Sequence, residues 1–242
     1  MEKATFPELT DMPDELKQSW FQNYVRKITL EDPKHIYNLE KAEYMPILLQ
    51  SLAARVGNLI NDADLSRDTG LTSVNARAYR NILNGTFITN YLHPWYRNIS
   101  KRLVKSGKIY FYDTMLLSYI LKSTPEEIHK SNLKLFGHLL ENFVLSELIK
   151  LNNTQLKPVE ISFYKTRDGK EVDFILENGA SIVGIEVKNF EKITEKEVAG
   201  LRELKEVTGK DFICGVILCN TERVINYDED IYLIPLSALW LS

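Results

Sequence analysis

The chain has 242 residues, 44% of them hydrophobic, with 30 Lys and Arg against 33 Asp and Glu. The net charge of −3 excludes a generally basic nucleic-acid coat, so any basic surface has to be local. At about 100–200 residues per domain the length predicts two modest domains, and no apolar run reaches the ~20 residues a membrane helix needs.

Residues 1–44 predict a helical N-terminal segment. Pro7 and Pro13 punctuate an irregular start, ELKQSWFQNYVRKIT has amphipathic helical spacing, and Asp32-Pro33 stops it. A second domain is expected over 45–130. It opens with a helix over 45–60, containing PILLQSLAARVGNLI. The stretch from Asp64 to Thr72 then has the grammar of a helix-turn-helix: a short helix, Gly70 in the turn, and Thr72 as N-cap of a helix from Ser73 to Leu83. Tyr79, Ile82 and Leu83 would face inward, and Ser73, Asn75, Arg77 and Arg80 outward.

Residues 86–113 read as a β-ribbon bending near Ser106-Gly107, which together with the helix-turn-helix predicts a winged helix. From His93 to Lys108 the chain carries Arg97, Lys101, Arg102, Lys105 and Lys108 and no acidic residue. Duplex DNA is the partner such a patch suggests. Ser73, Asn75, Arg77 and Arg80 would address the groove, and Lys101, Arg102 and Lys105 the phosphates. A protein-interaction role is the alternative. Tyr79, Trp95, Tyr110 and Tyr112 read as core. Residues 114–130 predict a helical connector, with a helix starting at Thr124-Pro125.

A third domain is expected over 131–242, with the element order αβββαβ(β). It comprises a long helix, SNLKLFGHLLENFVLSELIKL, and a strand, EISFYKT. A hairpin follows over VDFILENGASIVGIEVK, then the helix TEKEVAGLRELKEVTG, the strands FICGVILCN and IYLIP, and a short terminal turn or helix. The predicted fold class is α/β, in the α+β sense of a mixed sheet flanked by helices. Cys214 and Cys219, five apart in one apolar run, fall on opposite strand faces. That argues against a disulfide, and a reducing cytoplasm is expected. His35, His93, His129 and His138 have no metal-ligand spacing.

The hairpin carries the chemistry. Strand alternation puts Val172, Phe174 and Leu176 on one face and Glu171 and Asp173 on the other. In the second strand Gly184, Glu186 and Lys188 share a face. A type I′ turn at Asn178-Gly179 would set Asp173 opposite Gly184 and make Asp173 and Glu186 diagonal neighbours, roughly 7–8 Å apart. Two carboxylates there suit Mg²⁺ or Mn²⁺, with the Val187 carbonyl as a third ligand. Such a metal activates water and stabilises charge on a phosphodiester. Lys188 would orient that water or stabilise the transition state. An ordinary solvated hairpin with alternating charges is the competing reading.

Asp173, the Glu186-x-Lys188 triplet and a preceding helix with Glu141 resemble the PD-(D/E)XK restriction-endonuclease-like superfamily. More closely, the chain resembles the C-terminal region, called domain of unknown function 4143, of bacterial and archaeal AAA-type ATPases. The resemblance rests on LAARVGNLIN, LSRDTGLTSVNARAYRNIL, KRLVKSGKIYFYDTMLLSYI, GHLLENFVLSEL, YKTRDGKEVDFIL, GIEVK and PLSALW, from about residue 46 to the end.

It implies a restriction-endonuclease-like domain over 131–242 in which Glu141 joins Asp173, Glu186 and Lys188 as catalytic residues. Glu147 is the other acid on that helix and reads as a surface ion-pair partner. Arg167 and Glu171 would support the site. The ATPase module of that family is absent, with no phosphate loop in the sequence, so no ATP hydrolysis is expected. The implied activity is Mg²⁺-dependent DNA hydrolysis. The alternative is a non-catalytic module that binds DNA or an ATPase partner.

Overall fold

The computed structural model describes residues 6–33, 41–189 and 193–240; His35 lies outside them. The fold is α/β, with helices and a mixed sheet. The chain divides into two compact units. One contains residues up to Tyr91 and Lys108–Phe143; the other contains Leu92–Gly107 and the residues from Val144 on. This differs from the three-way division expected from the sequence, because Leu92–Gly107 groups with the C-terminal residues.

In the first unit, helix α1 spans Asp14–Arg26 and α2 spans Met45–Ala53. The helix expected over 45–60 stops early because Gly57 takes φ +74, and its N–H donates to the Ile109 carbonyl at 2.8 Å. A Cβ at Gly57 would stand 2.4 Å from His138 Nδ1, so the close approach requires glycine.

Helix α3 (Asp62–Thr69) is capped by the Asn61 side chain and ends at Gly70, φ +76. Thr72 then caps α4 (Ser73–Gly85) by accepting the Asn75 N–H at 3.2 Å. Strand β1 (Thr89–Leu92) pairs with β2 (Lys108–Phe111). Helices α6 (Thr114–Leu121) and α7 (Pro125–Ser131) follow; α7 is fixed by a Thr124–Glu127 capping box.

The expected continuous ribbon over 86–113 is not formed. Between β1 and β2 lies helix α5 (Ile99–Val104), nucleated by Asn98, whose side chain accepts the Ser100 N–H at 3.0 Å. The apolar residues of ISKRLV sit at helical rather than alternating spacing. Tyr79, Trp95 and Tyr110 are buried as expected, whereas Tyr112 is half-buried and accepts a hydrogen bond from Asn90.

Helix α8 spans Leu133–Asn153. The second unit is built on a six-stranded sheet of β3 (Glu160–Lys165), β4 (Glu171–Asn178), β5 (Ser181–Val187), β6 (Phe212–Cys219), β7 (Ile225–Asp228) and β8 (Ile231–Pro235). Its order is β3-β4-β5-β6-β8-β7; β5, β6 and β8 run parallel and the other neighbours antiparallel. Helix α9 (Glu195–Thr208) crosses between β5 and β6 and packs Val198, Leu201 and Leu204 on Val172, Ile175, Ile182 and Ile217. Strand β7 is a short, mostly exposed edge that the sequence reading passes over. Cys214 and Cys219 are both free.

Candidate functional site

The β4–β5 hairpin forms, with a register two residues from the expected one. Asn178 pairs with Ser181 and Phe174 with Ile185, leaving Gly179-Ala180 as the loop. Gly179 has φ +62 and Ala180 is not left-handed. This fits a type II′ turn, which needs glycine first, rather than the I′ turn that Asn178-Gly179 suggests. A shift of two keeps every side chain on its face. The last pair of the ladder is Phe174 with Ile185, and Asp173 and Glu186 are the next residues of the two strands, so Asp173 does not face Gly184, which pairs with Ile175.

Strand β4 also carries an extra residue. Ser162 pairs with Ile175 but Tyr164 with Val172, so Asp173 and Phe174 share the place opposite Phe163. The irregularity overturns the simple alternation expected here: Val172 and Ile175, three apart, both enter the core under α9. It falls at Asp173 itself.

Asp173 and Glu186 are 6% and 4% exposed. Asp173 Oδ2 accepts the Val187 N–H at 2.9 Å. The Lys188 ammonium lies 2.6 Å from Glu186 Oε2 and 3.9 Å from Asp173 Oδ2. The structure therefore brings Asp173, Glu186, Val187 and Lys188 together. Lys188 is thus an ion-pair partner of both carboxylates. Burying two carboxylates is costly unless cations answer them, and Lys188 is one such cation. Among the described residues no group of three His, Cys, Asp or Glu side chains is placed to share a metal.

Sequence reasoning assigned no role to Glu197. The Thr194 hydroxyl and N–H both donate to its carboxylate in a capping box at the start of α9. That hydroxyl bond holds its pKa below the usual carboxylate range, and the charge of Lys188 acts in the same direction. The Thr-x-x-Glu spacing of Thr194 and Glu197 was the available signal.

The other candidates have separate engagements. Glu171 pairs with Lys165 at 2.5 Å, and Lys170 with Glu203 at 2.6 Å, so neither lysine is simply solvated. Arg167 is exposed in the β3–β4 turn. Glu147 pairs with Lys150 and accepts the Trp240 indole N–H at 2.9 Å.

Glu141 belongs to the first unit. It accepts the Tyr110 hydroxyl at 2.9 Å, with Lys108 Nζ at 3.8 Å and His138 Nδ1 at 3.3 Å. Burial pushes its pKa up, but the His138 contact, the Lys108 charge and the Tyr110 hydroxyl outweigh that, and the pKa is lowered. A lowered carboxyl pKa contributes stability above its unfolded value and loses it as pH falls through the folded one. Glu141→Gln is therefore expected to cost roughly 2 kcal/mol at neutral pH and to flatten the acid side of the stability profile. Urea unfolding across pH 3–7 measures both.

Several basic candidates are also committed. Arg80, expected at the surface, is 6% exposed: it pairs with Asp62 and stacks on Tyr91 at 4.3 Å, because its stem packs inward. Arg77 is exposed and also pairs with Asp62. Ser73 is exposed and Asn75 half-buried. Lys101 and Lys105 are exposed, but Arg102 is buried between Glu177 and Glu160. Lys108 is buried beside Glu141, and Arg97 pairs with Asp211.

Comparison with known proteins defines the class first: residues 136–239, which contain the hairpin, match a domain of unknown function, DUF4143. Residues 3–127 match a second, DUF8612, and the chain belongs to the DUF8612 family. The likeness to DUF4143 thus begins near residue 136 and not near 46. The chain is 30% identical over 182 residues to the uncharacterized proteins Rv2008c of Mycobacterium tuberculosis and Mb2031c of Mycobacterium bovis. The match covers 75% of this chain and 40% of each relative. No solved structure matches. No described helix is long and apolar enough to cross a membrane.

Proposed function

We propose that the second unit is a PD-(D/E)XK nuclease-like domain that hydrolyses DNA phosphodiesters with Mg²⁺ or Mn²⁺. The observation that carries this reading is the pair of buried carboxylates, Asp173 and Glu186, sharing one lysine at the end of a hairpin. The order of α8, three antiparallel strands, α9 and a parallel strand supports it.

The donors fit the ion. Mg²⁺ keeps several waters and takes one or two carboxylates, so Asp173, Glu186 and the Val187 carbonyl suffice without a third acidic residue. When bound, the metal lowers the pKa of a coordinated water and stabilises charge on the scissile phosphate. Glu186 and Asp173 would hold the ion, and the Val187 N–H donates to Asp173 Oδ2 and so orients that carboxylate. Lys188 places its ammonium beside the attacked phosphate. In this reading the first unit is a winged helix that positions DNA through Ser73, Asn75 and Arg77. Lys101 and Lys105 contact phosphates, whereas Arg80, Arg102 and Glu141 serve structure.

Supercoiled and linear DNA incubated with the full chain and Mn²⁺ test the proposal. Nicking is expected, reduced by roughly 10²–10⁴-fold in Asp173→Ala or Lys188→Ala. Intact DNA together with no calorimetric cation binding sinks it. DNA bound equally by wild type and Asp173→Ala, and cut by neither, points instead to a non-catalytic module of an ATPase system. The buried and paired states of Arg80 and Arg102 remove two of the expected DNA contacts and favour a module that binds an ATPase partner rather than DNA.

A further inference from the structure

We propose that Lys188 is a built-in competitor for the divalent cation, so that metal binds only when the lysine leaves its two carboxylates. The inference rests on the metal-site reading above. Lys188 Nζ is 2.6 Å from Glu186 Oε2 and 3.9 Å from Asp173 Oδ2. A Mg²⁺ ion needs the same oxygens at about 2.0–2.1 Å. An ammonium in hydrogen-bond contact with Glu186 fills the volume that ion and its waters require, and two cations so close repel strongly in a poorly solvated site. The exchange therefore moves Lys188.

The surroundings provide for that movement. The Lys188 side chain is 23% exposed, against 8% and 5% for the side chains of Asp173 and Glu186, so it has a route outward that they lack. Glu197, at the start of α9, already feels the Lys188 charge and is held in place by Thr194. Lys188 thus answers the buried charge of Asp173 and Glu186 until the cation replaces it.

Two measurements on the full chain test this. Amine acetylation followed by mass spectrometry reads the reactivity of Lys188, with Lys101 and Lys105 as internal standards. On addition of Mn²⁺, Lys188 labelling is expected to change several-fold, with the half-saturation found by calorimetry, while the standards stay constant. In calorimetry, Lys188→Met is expected to bind Mn²⁺ about tenfold tighter, as when a competent state of about one-tenth population becomes fully populated. Metal binding that leaves Lys188 labelling unchanged, or Lys188→Met binding Mn²⁺ no tighter than wild type, overturns the competitor role and leaves the metal site standing. Failure of both proteins to bind Mn²⁺ overturns the site reading and this inference with it.

Discussion

Gly200→Ala is expected to destabilise the second unit by about 3 kcal/mol, although alanine is the better helix former by about 1 kcal/mol. Gly200 lies within α9, and a Cβ there would stand 1.9 Å from the Glu171 carbonyl oxygen and 2.8 Å from its carbon. Both are backbone atoms of β4, so no rotamer change relieves the clash. The helix has to lift from the sheet, loosening the contacts of Val198, Leu201 and Leu204. Gly137→Ala in α8 is the control, since nothing lies within 4 Å of its added carbon. That change is expected to be neutral or to stabilise by up to about 1 kcal/mol. Urea denaturation of the two variants should give opposite signs. Equal and small effects would show that α9 does not press on β4 at Gly200. Because Glu171 is two residues from Asp173, Gly200→Ala is also expected to weaken the cation binding proposed for Asp173 and Glu186.

The second large effect is Arg102→Ala, with a loss of about 3 kcal/mol. Register pairs Glu160 directly with Glu177, a like-charge pair that is unfavourable by itself. Arg102 resolves it. Its two terminal nitrogens reach Glu177 at 2.6 and 3.1 Å, one of them reaches Glu160 at 3.0 Å, and Nε donates to the Tyr96 carbonyl at 2.8 Å. The guanidinium also lies 5.7 Å from the centre of the Trp95 ring. Glu160 is well exposed and contributes little, so most of the loss comes from Glu177. Arg102→Lys is expected to restore less than half, since an ammonium cannot make the two-pronged contact. Thermal and urea unfolding measure the loss. Unchanged stability, with a reduced salt dependence of DNA binding, would return Arg102 to the phosphate-contacting role that its basic neighbourhood suggests.

The two arginines show where sequence reading stopped. A run of basic residues without acids in it reveals charge, but not which distant carboxylates will answer it. The partners of Arg102 lie 58 and 75 residues away in sequence. Arg80 meets Asp62 across the α3–α4 turn, which helical spacing alone does not disclose.

The local grammar was far more readable. Asn61, Thr72 and Thr124 cap helices where short side chains precede apolar periods, and β3 to β6 and β8 fall where alternating or continuous apolar runs predict. At the candidate site the residue types were legible and the geometry only partly so. Gly179 serves either hairpin turn, and the choice shifts the register by two residues. The extra residue in β4 has no sequence signature at all.

The insertion of Leu92–Gly107 between β1 and β2 bears on how the molecule is made. Trp95 donates its N–H to the Phe163 carbonyl, His93 accepts the Phe163 N–H, and Arg102 holds Glu177. All three residues leave the ribosome well before the strands they serve. During synthesis this segment has to wait without its sheet until β3 and β4 emerge. A fragment cut at residue 131 would contain the whole sheet but lack the strap along its β3 edge. That exposed edge would be open to pairing with other chains.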